Sequence, residues 1–129
     1  MHTSEYDDYI YLRKMCTIEE YINVCNNVKK TFPNACISTD IIVGFPGETD
    51  KDFEESMKLC QECDFTWVHA FPFSPRPGTT AYFMKNKVPE HVSKKRVKLL
   101  TEFATNSKNR YLSNLISKEI PAIVEKRRF

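Results

Sequence analysis

The stretch Asp40-Ile-Ile-Val-Gly-Phe-Pro-Gly-Glu-Thr49 leaves the backbone few choices. Cys36 to Val43 is an apolar run with β-branched members, the length of a strand and too short for a helix. Pro46-Gly47 suits the centre of a type II turn, in which proline fixes its own φ and glycine takes the positive φ that follows. Thr49-x-x-Asp52 then reads as a helix N-cap with an acid in the first turn, where the helix dipole favours negative charge. Together they predict a β-loop-α unit whose loop lies beyond the carboxyl end of a buried strand. In parallel α/β folds, ligands bind at that end.

The two faces of this strand differ. Ile37, Thr39, Ile41 and Val43 suit packing against helices, whereas Cys36, Ser38, Asp40 and Ile42 put two polar groups on the other side. A carboxylate inside a strand is costly unless it is paired or hydrogen-bonded. Asp40 lies just before the loop, which favours a role at a ligand site over a purely local hydrogen bond.

The flanking elements follow from spacing. Thr17-Ile-Glu-Glu20 is a capping box, and Ile18, Tyr21, Ile22, Cys25, Val28 and Phe32 recur at helical intervals until Pro33-Asn34. A second helix runs from about Asp50 to Cys63, with Phe53, Met57 and Cys60 as its buried stripe. Its Cys60-x-x-Cys63 closes the helix, while a redox pair normally opens one, and no second pair exists to complete a zinc site. Core packing is therefore expected for these thiols. Five cysteines in a chain without an export signal argue against a disulfide framework. A second strand spans Phe65 to Phe73; its pairing should fail by Pro72, and its His69 is expected as a satisfied core residue. Ser74-Pro-Arg-Pro-Gly-Thr-Thr80 then holds Arg76 between two prolines. That suits Arg76 to grip a carboxylate or phosphate, although its local sequence fits a solvated loop arginine equally well. From Pro89 a long helix reaches about Lys118, with a break available at Asn106-Ser107. Ile120-Pro-Ala-Ile-Val-Glu125 reads as a further strand.

Charge and hydropathy limit the setting. Residues 1–88 carry 9 basic and 13 acidic side chains, and residues 89–129 carry 10 and 4. The basic last third suits nucleic acid or a solvated helix face. No run approaches the ~20 apolar residues of a membrane span. The opening Met-His-Thr-Ser-Glu-Tyr-Asp-Asp is unlike a signal or transit peptide, so no membrane and a cytoplasmic location are expected.

Two motifs, Ser38-Thr-Asp-Ile-Ile-Val-Gly-Phe-Pro-Gly-Glu-Thr49 and Phe71-Pro-Phe-Ser-Pro-Arg-Pro-Gly-Thr79, resemble the radical-SAM methylthiotransferases that modify tRNA. Val88-Pro-Glu90 and Lys95-Arg-Val-Lys-Leu-Leu100 are similar to the helix by which that family leaves its barrel. The likeness covers most of residues 17–125. Phe71-Pro-Phe-Ser74 looks most like the MtaB-type branch, which acts on N6-threonylcarbamoyladenosine at tRNA position 37. The MiaB-type branch, acting on isopentenyladenosine, comes next, and the ribosomal-protein-modifying branch after it.

The resemblance implies an α/β fold: the C-terminal fragment of a partial (β/α) TIM-type barrel with a long C-terminal helix. Residues 1–16 are a poorly defined lead-in, 17–88 the last β/α units, 89–119 a linking helix, and 120–129 the start of a truncated TRAM domain. It implies S-adenosylmethionine and 4Fe-4S clusters as cofactors, with tRNA as partner. Asp40, Gly44, Phe45, Pro46, Gly47 and Glu48 would border the S-adenosylmethionine pocket, with Phe73, Ser74 and Arg76 at its mouth. The missing side chains of Gly44 and Gly47 would let backbone approach the adenosyl group. The family binds its cluster through CxxxCxxC. No three of these five cysteines have that spacing, so none is assigned as a ligand, no catalytic residue is assigned, and the chain alone should be inert. Open barrel edges further suggest a homo-oligomer. Two other readings stand beside this one: an RNA-binding module without catalysis, and a fragment of another radical-SAM enzyme such as a coproporphyrinogen oxidase relative.

Overall fold

The computed structural model describes residues 16–126. Residues 1–15 and 127–129, which hold nearly all of the expected lead-in and the end of the basic tail, lie outside the described residues. The order of elements is α1 (Ile18–Thr31), β1 (Ser38–Val43), α2 (Asp50–Glu62), β2 (Trp67–Pro72), α3 (Thr80–Phe83) and α4 (Glu90–Leu115).

The expected capping box at Thr17 forms, and the expected N-cap at Thr49 proves to be a second one. Thr17 and Glu20 satisfy each other's backbone at the start of α1, and Thr49 and Asp52 do so at the start of α2. Asp52 is held below the usual carboxylate range, chiefly by the hydrogen bonds it accepts from the Thr49 backbone N–H and hydroxyl. Helix α2 ends in a Schellman motif: Phe65 N–H bonds Cys60 O and Asp64 N–H bonds Gln61 O. Asp64 takes the left-handed position at φ 47, where glycine is usual. Its side chain offsets that cost, since one carboxylate oxygen pairs with Lys29 (2.6 Å) and the other with Arg110 (2.8 Å).

β1 and β2 pair in parallel, from Ser38↔Trp67 to Val43↔Pro72, with α2 as the crossover. The expected failure of pairing at Pro72 is corrected by one position. Phe73 N–H donates to Val43 O at 2.7 Å, so the ladder passes the proline, whose missing donor falls on the side away from β1. Among the described residues the sheet has these two strands alone, and each has one outer edge without a strand beside it.

α1, α2 and α4 supply the core, together with Val43 and Val68 from the helix-facing side of the sheet. Val43, Cys60, Phe65, Leu100 and Ala104 are shut off from solvent almost completely. As expected, Phe53 and Cys60 are buried along α2, and Cys63 continues the stripe at its cap. Burial pushes the Cys60 thiol up to about 11; it raises Cys63 to about 12, helped there by the neighbouring Cys25. The stripe of α1 is less covered than its spacing suggests: Cys25 is buried, but Ile18, Tyr21 and Phe32 remain exposed.

Three further expectations are corrected. α4 runs unbroken for 26 residues through Asn106 and Ser107, because Ser107 lies buried on the packed face and interrupts nothing. The face consists of Ser93, Arg96, Leu100, Ala104 and Ser107. Ile120–Glu125 forms no strand; no neighbour offers a ladder among the described residues, and Val124 stays 94% exposed. His69 is exposed and not part of the core; it lies on the face of β2 opposite the buried Val68.

Leu100→Ala should destabilise the chain by about 2–5 kcal/mol in urea unfolding, the cost of a cavity in a packed core. Leu112→Ala, on the half-exposed side of the same helix, should cost only about 0.5 kcal/mol or less. The thiols give a second expectation. Unfolded cysteines ionise near pH ~8.5. Folded Cys60 and Cys63 hold their protons until about 11 and 12. Over that interval the unfolded state binds fewer protons, so stability is complete below pH ~8.5 and falls as pH rises. Native alkylation at pH ~8 should reach exposed Cys36 and spare Cys60 and Cys63 until the chain unfolds.

Candidate functional site

The carboxyl ends of both strands, the Pro-Gly loop and the segment after β2 meet at one edge of the molecule. The turn has the expected geometry. Glu48 N–H bonds Phe45 O at 2.9 Å across Pro46-Gly47, and Gly47 has φ +90. This is a type II turn with glycine where positive φ is required.

The structure divides the expected site residues between two sides of this loop. On the sheet's open face lie Asp40 and Ile42 of β1, opposite His69 and Phe71 of β2 in register. Trp67 Nε1–H donates to His69 Nδ1 at 3.2 Å, and the His69 ring stacks on Phe71 with centroids 6.4 Å apart. Beyond the strand ends, Ile42, Phe71, Phe73, Ser74 and Arg76 line a cleft of about 530 Å³. Phe45 meets Phe73 edge to face at 5.2 Å, which joins the loop to the cleft. Phe73, Ser74 and Arg76 thus share one cleft with Phe45 beside it, whereas Asp40 lines a separate pocket with Tyr21, Thr39 and Phe65. Arg76 is exposed and makes no ion pair among the described residues; its backbone carbonyl accepts the Thr79 hydroxyl at 2.8 Å, which fixes the turn after it.

Gly44, Gly47 and Glu48 have a second set of neighbours on α4 and the connection before it, and Pro46 between them is buried. At Gly44, with φ +74, a Cβ atom would stand 2.0 Å from Ser93 Oγ. The missing side chain therefore admits α4, a use of glycine that differs from the expected approach to a ligand. At Gly47 nothing lies within 4 Å of that position, and its N–H donates to Asn86 O at 2.7 Å. Glu48 turns its carboxylate inward: Oε1 accepts from Gly44 N–H at 2.9 Å and pairs with Arg96. Arg96 is only 5% exposed. It also bonds the Glu48 carbonyl at 3.3 Å and Asp50 Oδ1 at 2.8 Å, and its guanidinium lies over the Phe53 ring.

Neither Arg96 nor Ser93 is among the site residues expected from the sequence. A signal was present: Ser93, Arg96 and Leu100 lie at intervals of three and four, so the polar pair falls on the stripe that Leu100 marks as buried. A buried arginine needs acids, and Glu48 and Asp50 supply them.

What the surface can hold follows from its make-up. Ile42, Phe71 and Phe73 offer apolar and aromatic area, and Ser74 and Arg76 offer polar groups beside it, a combination suited to a nucleoside-like ligand with charged substituents. The residues fit the adenosyl cofactor expected from the motifs. They do not fit an iron–sulfur cluster: no three His, Cys, Asp or Glu among the described residues gather as metal ligands, and Cys25, Cys60 and Cys63 are core residues.

A parallel β-loop-α unit with such a surface at its strand ends agrees with the match of the chain to a known family. The model of the radical SAM superfamily matches residues 2–60. The chain is 43% identical over 100 residues to a tRNA-2-methylthio-N(6)-dimethylallyladenosine synthase of Ehrlichia chaffeensis, an overlap of 78% of this chain and 23% of that protein. It is 43% identical over 108 residues to the threonylcarbamoyladenosine tRNA methylthiotransferase MtaB of Thermotoga maritima, covering 84% and 25%. A synthase of the first kind from Bacillus mycoides is 42% identical over 102 residues, covering 76% and 20%. Residues 2–60 thus match the radical SAM superfamily, and the chain is similar over most of its length to proteins named as tRNA methylthiotransferases. It spans about a quarter of the length of these relatives. No helix among the described residues is long and apolar enough to cross a membrane.

The two glycines give a direct test of the loop's packing. Gly47→Ala should cost about 1–2 kcal/mol, the strain of a left-handed backbone alone. Gly44→Ala should cost roughly 1–3 kcal/mol more, because its methyl group meets Ser93. Ser93→Gly should recover part of that loss in Gly44→Ala and none in Gly47→Ala, as read from a double-mutant cycle in urea.

Proposed function

We infer that this chain is a segment of the catalytic barrel of a radical-SAM methylthiotransferase that methylthiolates a hypermodified adenosine at tRNA position 37. Asp40, Phe45, Ser74 and Arg76 face the cofactor and substrate, and Gly44, Pro46, Gly47 and Glu48 hold the loop that borders them. The observation that carries this reading is the shared surface at the carboxyl ends of two parallel strands, in a chain 43% identical to two enzymes named for tRNA methylthiolation. N6-threonylcarbamoyladenosine is the base proposed first, on Phe71-Pro-Phe-Ser74. Equal identity to relatives named for the two adenosine modifications leaves that choice to experiment.

S-adenosylmethionine, bound beside a reduced cluster, is the source of the radical in such enzymes. The residues of this chain do the surrounding work. Ile42, Phe71 and Phe73 exclude water and offer flat apolar area. Asp40 is an acceptor for hydroxyl or ammonium hydrogens, and Arg76 presents a planar fork for a carboxylate or phosphate. The cluster's ligands lie elsewhere in the complete enzyme, so the segment alone is inert.

The test is nucleoside mass spectrometry of tRNA treated with the complete enzyme, using substrates that carry either adenosine modification. Methylthiolation of the threonylcarbamoyl form is expected; reaction with the isopentenyl form alone would move the enzyme to the other branch. Asp40→Asn and Arg76→Lys should each cut product formation at least about tenfold with little change in melting temperature, since neither side chain is part of the core and Arg→Lys loses the fork. Full activity in both variants would refute the site assignment.

A further inference from the structure

We propose that Arg96 is a positioning residue for the cofactor: through Glu48 it fixes the backbone of the Gly44–Glu48 loop in the shape that S-adenosylmethionine meets. This rests on the reading of the site under Proposed function. It concerns a residue outside the loop, on a helix that lines the opposite side.

The geometry makes Arg96 a single tie for three pieces of chain. Its Nη1 bonds both the carbonyl and the carboxylate of Glu48, at the loop's end. The same Oε1 accepts Gly44 N–H, at the loop's start. Its Nη2 bonds Asp50 Oδ1, in the first turn of α2. A loop closed at both ends on one carboxylate oxygen has little freedom, provided the carboxylate itself is held. Ser93, one turn earlier on α4, packs into the space left by Gly44, and Asn86 O takes the Gly47 N–H. The remaining side of the loop carries Phe45 against Phe73, at the cleft. Arg96 is thus outside the reacting surface, yet it sets where that surface's loop stands.

The bonds are unequal in exposure, and this makes the idea testable. The Arg96 and Glu48 side chains are nearly buried, whereas the Asp50 side chain is 92% exposed. Breaking the buried pair should release the loop; removing the exposed arm should not. A lysine at position 96 keeps the charge but cannot reach Glu48 and Asp50 with one planar fork. Replacing both members of the pair by leucine removes the buried charges together, which commonly restores stability without restoring the hydrogen bond to Gly44 N–H.

Two measurements decide it. Hydrogen exchange on this chain should show faster exchange across residues 44–48 in Arg96→Lys and Arg96→Leu/Glu48→Leu, with α4 unchanged and Asp50→Asn like wild type. In the complete enzyme, equilibrium dialysis should show S-adenosylmethionine Kd raised about tenfold or more in the same two variants, the scale expected when a binding group is misplaced from a distance. Turnover at saturating cofactor should stay near wild type in Arg96→Lys. If Arg96→Lys lowers the melting temperature but leaves Kd within about twofold, or if the double variant recovers stability and affinity together, Arg96 only holds the fold and the inference falls. Should the double variant not fold, the Kd of Arg96→Lys decides alone. Wild-type enzyme that binds no S-adenosylmethionine would instead overturn the reading beneath it.

Discussion

A parallel pair of strands needs a crossover, and the crossover must cover one face while leaving the other. That constraint organises this chain. α2 joins β1 to β2, α4 closes over the helix-facing side, and Val43, Val68, Leu100 and Ala104 meet where those layers touch. The opposite face keeps Asp40, Ile42, His69 and Phe71 together, because strand residues alternate and the register places Asp40 against His69 and Ile42 against Phe71. The uncovered face is therefore the necessary counterpart of the core.

The buried ion pair at the loop needs both a cost and a reason. An arginine beneath a helix is expensive to desolvate, and an apolar pair of similar size would commonly serve stability as well or better. What apolar side chains cannot do is bond the Glu48 carbonyl and carboxylate, Gly44 N–H and Asp50 in one arrangement. Burial also means that water and salt compete weakly for these bonds. By contrast, the exposed Lys94–Glu90 and Lys98–Glu102 pairs on α4 lie one turn apart and add little to stability. They also neutralise part of the basic charge of the last third of the sequence.

Much of this was legible in the residues because the signals were local. The helix N-caps at Thr17 and Thr49, the Pro-Gly turn and the period-two alternation of β1 each involve neighbours within four positions, and all three form as the sequence indicates. The misreadings arose where distant chain decides. Nothing near Gly44 says that Ser93, far along the chain, will occupy the space of its missing side chain. His69 looked like a core residue because its neighbours are aromatic, but Phe71 beside it is exposed as well. Pro72 looked bound to end pairing; in a parallel ladder only alternate amides face the partner, and Phe73 supplied the one required. Ile120–Glu125 has strand composition, yet composition cannot provide a neighbour to pair with.

The continuity of α4 has a consequence for which sequence changes this fold can accept. Near its start, Ser93 and Arg96 engage the loop at the carboxyl ends of the strands; near its end, Arg110 reaches Asp64 and the Tyr111 hydroxyl reaches Asn34 O at 2.7 Å, both beside the amino ends. One unbroken rod thus indexes both ends of the sheet. Each inserted residue turns the rest of a helix by about 100° and advances it about 1.5 Å. A single insertion between positions 97 and 109 would therefore leave one end in register and swing Arg110 and Tyr111 off their partners. Point changes along this span are negotiable residue by residue, but its length is not, and variation in length is confined to the connections on either side.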